Sequence, residues 1–171
     1  MTTVRTHPRA TKAEDGDVVT LVTVNETALS ADTILDAAGD FSARRVHVFP
    51  AVSARHFTVH ALGDTTADVT EGARVGPVVL WERCAYDWSE PGVVTATVTD
   101  SNIYDRGSRW EITAVPTENG SRVEMTWTRR FPRRALGRVA GFMYRKTGER
   151  SFGKYAQDII TNLERLHADS V

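Results

Sequence analysis

The 171-residue chain has little cysteine, almost no net charge and no long apolar run, and each shortage excludes a class of protein. Its single cysteine, Cys84, cannot form an intrachain disulfide, which favours a reducing, cytoplasmic location. A formal net charge of −1 gives no overall attraction to nucleic acid or to a membrane, and no nucleic-acid partner is expected. No apolar run approaches the roughly 18–20 residues that a transmembrane helix needs.

Lysine is also scarce, since only Lys12, Lys146 and Lys154 occur beside a majority of arginines, a composition that suggests a GC-rich bacterial genome. The first 17 residues lack the apolar core of a signal peptide. They predict a flexible, polar lead-in over 1–17, followed by a single domain over 18–171. The chain has no phosphate loop, nucleophile elbow or dinucleotide fingerprint, and its histidines lack metal-ligand spacing. No cofactor and no metal are therefore expected.

What the chain does contain is a series of segments rich in β-branched and aromatic residues, each typical of a strand. These segments are Val18–Glu26, His56–Leu62, Thr65–Glu71, Val78–Trp88, Val93–Tyr104, Ser108–Val115 and Arg122–Phe131. From the second segment onward, short turns rich in Gly, Asn and Asp separate them. Such short connections predict an antiparallel meander.

Helical signals flank this series on both sides. Ser30 is a candidate N-cap, and a second short segment over 41–49 is stopped by Pro50. The last segment, 135–167, carries an apolar stripe from Phe152 to Leu166 at spacings of three and four. Projected backwards, the stripe reaches Phe142 and Arg145. Gly148 predicts a kink or a break in this helix.

The order of one strand, two short helices, six strands and one long helix resembles the START-like superfamily of polyketide cyclase/dehydrase and lipid-transport proteins. The segments that carry the resemblance are VVTVNETALSADTILDAAGDFS, WERCAYDWSEPGVVTATVTDSNIYDRGSRWEITAVPTENGSRVEMTWTRRF and the closing helix. The resemblance implies an α+β helix-grip fold: a bent seven-stranded antiparallel sheet wrapped around the long C-terminal helix, with a cavity between them. Because aromatase/cyclases, lipid carriers and plain binding proteins share this fold, the fold alone does not select a chemistry.

Strand alternation predicts which side chains face this cavity. An apolar floor with a few polar groups toward one end is typical of a small-molecule site. The predicted ligand-binding residues are Trp88, Val98, Asn102, Tyr104, Trp110, Met125, Trp127, Phe142 and Arg145.

Four residues are candidates for chemistry: Asp100, Arg129, Glu82 and Tyr86. The alternation of Val94, Ala96 and Val98 continues into Asp100 and would place it inside; a bulge or the end of the strand would instead send it outward. Arg129 follows Trp127 by two and could bind a carboxylate or polarise a carbonyl. Glu82 would need a partner if buried, but could equally be solvated at a sheet edge.

Two functions fit this pattern. One is binding of a hydrophobic small molecule that is lipid-, aromatic- or polyketide-like; the other is a cyclase, aromatase or dehydratase that uses pocket acids and bases and an arginine. Filling of the cavity by its own aromatic side chains would instead leave an interaction module. The arginine cluster RRFPRRALGR could dock an acidic acyl carrier protein or an anionic membrane, or could be a solvated junction.

Overall fold

The computed structural model describes residues 9–12, 18–133 and 135–169 and shows one bent, antiparallel eight-stranded sheet. Its strands lie in the order β1-β2-β8-β7-β6-β5-β4-β3, so the meander from β3 to β8 continues onto β2. The strands are β1 Arg9–Lys12, β2 Val18–Thr27, β3 Thr58–Leu62, β4 Thr66–Val75, β5 Val78–Asp87, β6 Val93–Ser101, β7 Arg109–Thr117 and β8 Gly120–Arg130. The predicted antiparallel meander is confirmed.

Three helices and one 3₁₀ turn complete the fold: α1 Ala31–Ala38, α2 Arg45–Val48, the turn Ala54–His56, and α3 Ala135–Ala168. Ser30 is the N-cap of α1, and its hydroxyl accepts a hydrogen bond of 3.1 Å from the amide of Thr33. The order of elements and the long C-terminal helix confirm the predicted α+β helix-grip arrangement.

The sheet has one strand more than the predicted seven. Arg9–Lys12 pairs antiparallel with β2, within the segment that we predicted as a lead-in. The composition of this segment gives no strand signal, and the pairing depends on the open edge of β2, which the sequence does not display. The other residues of the predicted lead-in lie outside the described part of the chain.

The C-terminal half of α3 packs on the concave face of the sheet through a buried stripe that includes Ala156, Ile159, Ile160 and Leu163. Two polar contacts tie this half to other elements. The Thr27 hydroxyl donates to the Glu164 carboxylate at 2.6 Å, and the Asn162 amide donates to the carbonyl of Val48 at 3.1 Å. The cavity therefore has a fixed wall on its helical side.

The N-terminal half of α3 corrects the helical phase that we predicted. The helix is continuous through Gly148, and the buried residues upstream of Phe152 are Gly148, Tyr144 and Gly141. A Cβ at Gly141 would lie 3.2 Å from the Phe131 ring, and one at Gly148 would lie 2.8 Å from Leu21 Cδ1. The glycines thus mark close approach to the sheet rather than a break, and Phe142 and Arg145 face outward.

Candidate functional site

A cavity of about 410 Å³, partly open to solvent, lies between the concave face of the sheet and α3. Its sheet wall is formed by Trp110, Ile112, Met125 and Trp127, and Phe152, Tyr155 and Ile159 line it from α3. The segment 49–52, the β4–β5 turn and Ile103 and Tyr104 complete it. The predicted positions of Tyr104, Trp110, Met125 and Trp127 on its wall agree with this geometry.

Two glutamates interrupt this apolar wall at directly opposed positions. Glu71 of β4 pairs with Glu82 of β5 in the sheet register, and both line the cavity. Directly opposed residues of antiparallel strands have Cβ atoms about 4.5–5.5 Å apart, where two like charges repel. The structure resolves this repulsion by giving each carboxylate its own arginine.

Arg129 of β8 is the partner of Glu82. Its two terminal nitrogens donate to the two carboxylate oxygens at 2.7 and 3.2 Å, a bidentate arrangement. The guanidinium carbon also lies 4.4 Å from the centre of the Tyr104 ring. Burial opposes the charge of Arg129, but attraction to Glu82 outweighs it, so its pKa is raised and it stays a cation. Among the described residues, neither Arg129 Nε nor the neighbouring hydroxyl of Tyr144 makes a well-aligned hydrogen bond.

Arg45 of α2 is the partner of Glu71. Its Nε donates to Glu71, and its other nitrogens reach the carbonyl of Ala38 and the hydroxyl of Tyr86, both at 3.0 Å. Tyr86 in turn donates to the second oxygen of Glu71 at 2.7 Å. The guanidinium carbon lies 4.4 Å from each of the Phe41 and Phe49 ring centres. Within this Arg45–Glu71–Tyr86 network, each of the three guanidinium nitrogens of Arg45 donates a hydrogen bond.

Tyr155 supplies a neutral polar group on the helical wall of the cavity. Burial raises the pKa of its hydroxyl well above the ordinary value, and the negative charge of Glu71 raises it further. The hydroxyl therefore stays protonated at any physiological pH and can donate a hydrogen bond to a ligand oxygen. A cation, two carboxylates and this donor are the groups with which the cavity can orient a ligand or move a proton.

The predicted pocket positions of Asp100 and Asn102 are wrong, because a bulge changes the phase of β6. Arg83 pairs with Asp100 and Cys84 pairs with Val98, so Thr99 has no partner on β5. Asp100 is exposed, and its carboxylate accepts from the amide of Ser101. Asn102 bonds the backbone of β5, accepting from Trp81 at 3.1 Å and donating to Val79 at 2.7 Å.

The remaining predicted site residues lie away from the cavity surface. Tyr86 is buried behind Glu71, and Val98 is core. Trp88 packs on Phe41 and lines a separate surface cleft near α1. Phe142 and Arg145 lie on the outer face of α3, because the backward projection of the stripe missed its phase by one residue.

Three residues of the site, Glu71, Arg45 and Tyr155, were not predicted from the sequence, although the sequence carries a signal for each. Glu71 continues the inward alternation of Ala67 and Val69. Arg45 lies four residues after Phe41, on the inner face of a helical turn. Tyr155 follows Phe152 by three on α3. The partners that make these residues part of the site are distant in sequence, as Arg45 is 26 residues from Glu71, and the local pattern does not show them.

Among the described residues, no group of three or more His, Cys, Asp or Glu side chains could hold a metal ion. No helix in the described part of the chain is long and apolar enough to cross a bilayer.

Solved structures with this architecture include the Zhui aromatase/cyclase from a Streptomyces species, with 16% identity, a TM-score of 0.63 and coverage of 93% of this chain and 95% of that one. A START superfamily protein from Mycobacterium smegmatis matches with 13% identity and a TM-score of 0.64 over 88% of this chain and 99% of that one. The di-domain ARO/CYC StfQ, from the steffimycin biosynthetic pathway, matches with 11% identity and a TM-score of 0.72 over 91% of this chain and 53% of that one. No protein-family model and no curated protein matches the chain. At these identities the likeness shows a START-like fold.

Proposed function

We propose that this START-like chain binds a hydrophobic small molecule, lipid-, aromatic- or polyketide-like, in the cavity between the sheet and α3. The observation that carries the proposal is the cavity itself: about 410 Å³, partly open to solvent and lined by aromatic side chains. Ligand pockets of drug-sized molecules fall in the range of about 300–1,000 Å³ and combine apolar walls with a few polar groups. The aromatic side chains do not fill the space, which argues against a pure interaction module.

The polar groups indicate how the ligand lies. Trp127 packs against Phe152 with ring centres 5.0 Å apart, so sheet and helix together offer an aromatic surface to a flat or chain-like ligand. Glu82, Arg129 and Tyr155 offer hydrogen bonds to its oxygens. A hydroxyl would donate to Glu82, and a carbonyl would accept from Tyr155. The cavity thus favours a ligand that is apolar along most of its length and oxygenated at one place.

The alternative is catalysis as a cyclase, aromatase or dehydratase, and the charged groups on the cavity wall favour it. Arg129 would stabilise an enolate oxygen, Glu82 would accept a proton from carbon, and Tyr155 would donate to a carbonyl. Asp100 has no part in this scheme, since it faces solvent. A tethered substrate would also need an acidic acyl carrier protein, docked on the arginines around the start of α3. Either function suits a reducing, cytoplasmic location, where the buried Cys84 stays a thiol.

The first experiment is organic extraction of freshly purified protein, followed by mass spectrometry, on the wild type and on two variants. Trp127→Leu removes an aromatic side chain from the cavity wall, and Trp88→Leu removes an aromatic side chain that lies outside the cavity. We expect a stoichiometric apolar compound in the wild type and in Trp88→Leu, and about tenfold less in Trp127→Leu. Equal loading of both variants would contradict the cavity as the binding site.

The alternative is tested with a linear poly-β-keto ester, whose aldol ring closure with loss of water forms a phenol. Catalysis predicts phenol formation above the spontaneous rate in the wild type and a loss of that excess in Glu82→Gln. A wild type that binds the ester without accelerating ring closure would favour a carrier or a sensor over this enzyme.

A further inference from the structure

The first two turns of α3 expose three large apolar side chains to solvent. Val139 is 61%, Phe142 57% and Met143 51% exposed. Their spacings of three and four place them on one face of the helix, which we call the outer apolar face. The opposite face, with Gly141 and Tyr144, packs on the sheet, so no described residue covers the outer one.

Cations surround the outer apolar face. Residues 130–154 hold eight of the 21 Lys and Arg residues of the chain and one of its 22 Asp and Glu residues. Arg138 and Arg150 are exposed on the helix, and Lys146 lies over the Phe142 ring, 5.9 Å from its centre. Although the whole chain has a net charge of only −1, this segment is therefore strongly positive.

The cavity lies along the next turns of the same helix, where Ser151, Phe152 and Tyr155 line it. Val75, at the end of β4, also lines the cavity and is 58% exposed. Val78, which pairs with Val75 at the start of β5, is 45% exposed. Exposed apolar side chains thus occur on α3 and on the β4–β5 hairpin, and both elements bound the cavity.

We propose that this end of the molecule docks on an anionic lipid bilayer, with the outer apolar face among the headgroups and the cavity opening toward the membrane. A helix with Val, Phe and Met on its exposed face and Arg and Lys on the flanks has the composition of an interfacial helix. Each cation near an anionic surface adds about 1 kcal/mol, and the apolar side chains add burial that a purely electrostatic contact lacks. An acidic protein partner would use the cations but gives no reason for a convex apolar helix face.

The test is co-sedimentation of the full chain with vesicles of phosphatidylcholine alone or mixed with phosphatidylglycerol. Three variants accompany the wild type: Phe142→Ser with Met143→Ser, Arg138→Glu with Lys146→Glu, and the control Val115→Ser, which alters a 54% exposed residue on β7. We expect binding to the anionic vesicles only, lost at least tenfold in both double variants and kept in the control. Circular dichroism should show native structure in all variants, because every substituted side chain is exposed.

Three results would overturn the proposal. The first is no binding to anionic vesicles. The second is equal loss in the Val115→Ser control. The third is vesicle binding that the charge reversal removes and the serine variant keeps, which would show a purely electrostatic contact that does not use the outer apolar face. Extraction of the cavity ligand from the same variants separates this proposal from the proposed function, since docking and ligand occupancy are then measured independently.

Discussion

The two glutamate–arginine pairs of the cavity occupy opposed positions on neighbouring strands, yet they are built for different tasks. The Glu71 pair lies at the inner end, where Arg45 is fully buried, lies between two aromatic rings and makes a hydrogen bond from every nitrogen. The Glu82 pair leaves its carboxylate side chain 19% exposed and one donor of Arg129 without a well-aligned hydrogen bond among the described residues. The first pair holds α2 against the sheet, and the second is the pair whose more exposed carboxylate we propose to contact a ligand.

A charged residue on a cavity wall does not by itself indicate a ligand-binding role. Both glutamates line the same cavity, and both bind an arginine. What separates them is the number of hydrogen bonds left unmade, because a fully satisfied group gains nothing from a ligand. We therefore propose a role in stability for the Arg45–Glu71–Tyr86 network and a role in ligand selectivity for the Glu82–Arg129 pair.

The largest expected effect is on stability, in the variant Arg45→Met. It leaves Glu71 and Tyr86 buried without their cation, and breaking a buried pair in this way costs about 3–5 kcal/mol. We expect urea unfolding to show a loss of this size. Tyr86→Phe should cost less, about 1–3 kcal/mol, because only one hydroxyl leaves the network. A loss below 1 kcal/mol for Arg45→Met would contradict the structural role of the network.

The second expected effect is on binding, in the variant Arg129→Met. The side chain of Glu82 is more exposed than that of Glu71, 19% against 10%, so the loss of stability should be smaller than for Arg45→Met. The affinity for an oxygenated ligand should fall about 10- to 100-fold, since charge-assisted hydrogen bonds contribute about 1.5–3 kcal/mol. The affinity for a plain alkane should hardly change. Isothermal calorimetry with a fatty acid and with the alkane of the same length measures both affinities. Displacement of a fluorescent apolar probe from the cavity by each compound is an equivalent measurement.

Equal losses of affinity for the two ligands would contradict the polar role of Arg129, and with it the proposed difference between the two glutamate–arginine pairs. The double variant Glu82→Leu with Arg129→Met sharpens the same comparison. Replacing a buried ion pair by apolar residues of similar volume is often close to neutral for stability. This variant should therefore regain stability over Arg129→Met but not affinity for the oxygenated ligand.

The sequence predicted the fold well, apart from β1, because the other elements carry local signals. Ser30 caps its own helix, and Gly120 closes the β7–β8 turn, where its φ is +139°. Alternation likewise placed Trp110, Met125 and Trp127 on the cavity wall. These features require only neighbours in the chain, so periodicity and turn chemistry are enough to find them.

The site was harder to predict because its chemistry depends on contacts distant in sequence. Arg129 reaches Glu82 across 47 residues, and Arg45 reaches Glu71 across 26. A bulge at Thr99 places Asp100 on the outside of the sheet. Phe142 also faces outward, because the predicted helical phase was wrong by one residue. Alternation cannot reveal a bulge, and glycines that permit close packing look like helix breakers in a sequence.

The smallest expected effect concerns a third ion pair on the same strands, where Arg83 on β5 binds Asp68 on β4 on the outer face of the sheet. Hydrogen bonds from Arg83 lower the pKa of Asp68 below its ordinary value. A carboxyl with a lowered pKa in the folded state stabilises the fold above its unfolded pKa of about 3.9, and this contribution is lost as the pH falls through the lower, folded value. Because water surrounds both groups, the contribution should be the smallest of the three.

Arg83→Ala should therefore shift the urea midpoint little at pH 7 and leave ligand affinity unchanged. Its difference from the wild type should shrink further below pH 4 as Asp68 is protonated in both proteins. Urea titrations at pH 7 and in the acid range measure this difference. A loss at pH 7 as large as that of Arg45→Met would mean that burial does not rank these pairs, because Arg83 and Arg45 bind carboxylates of the same strand and differ chiefly in their exposure to water.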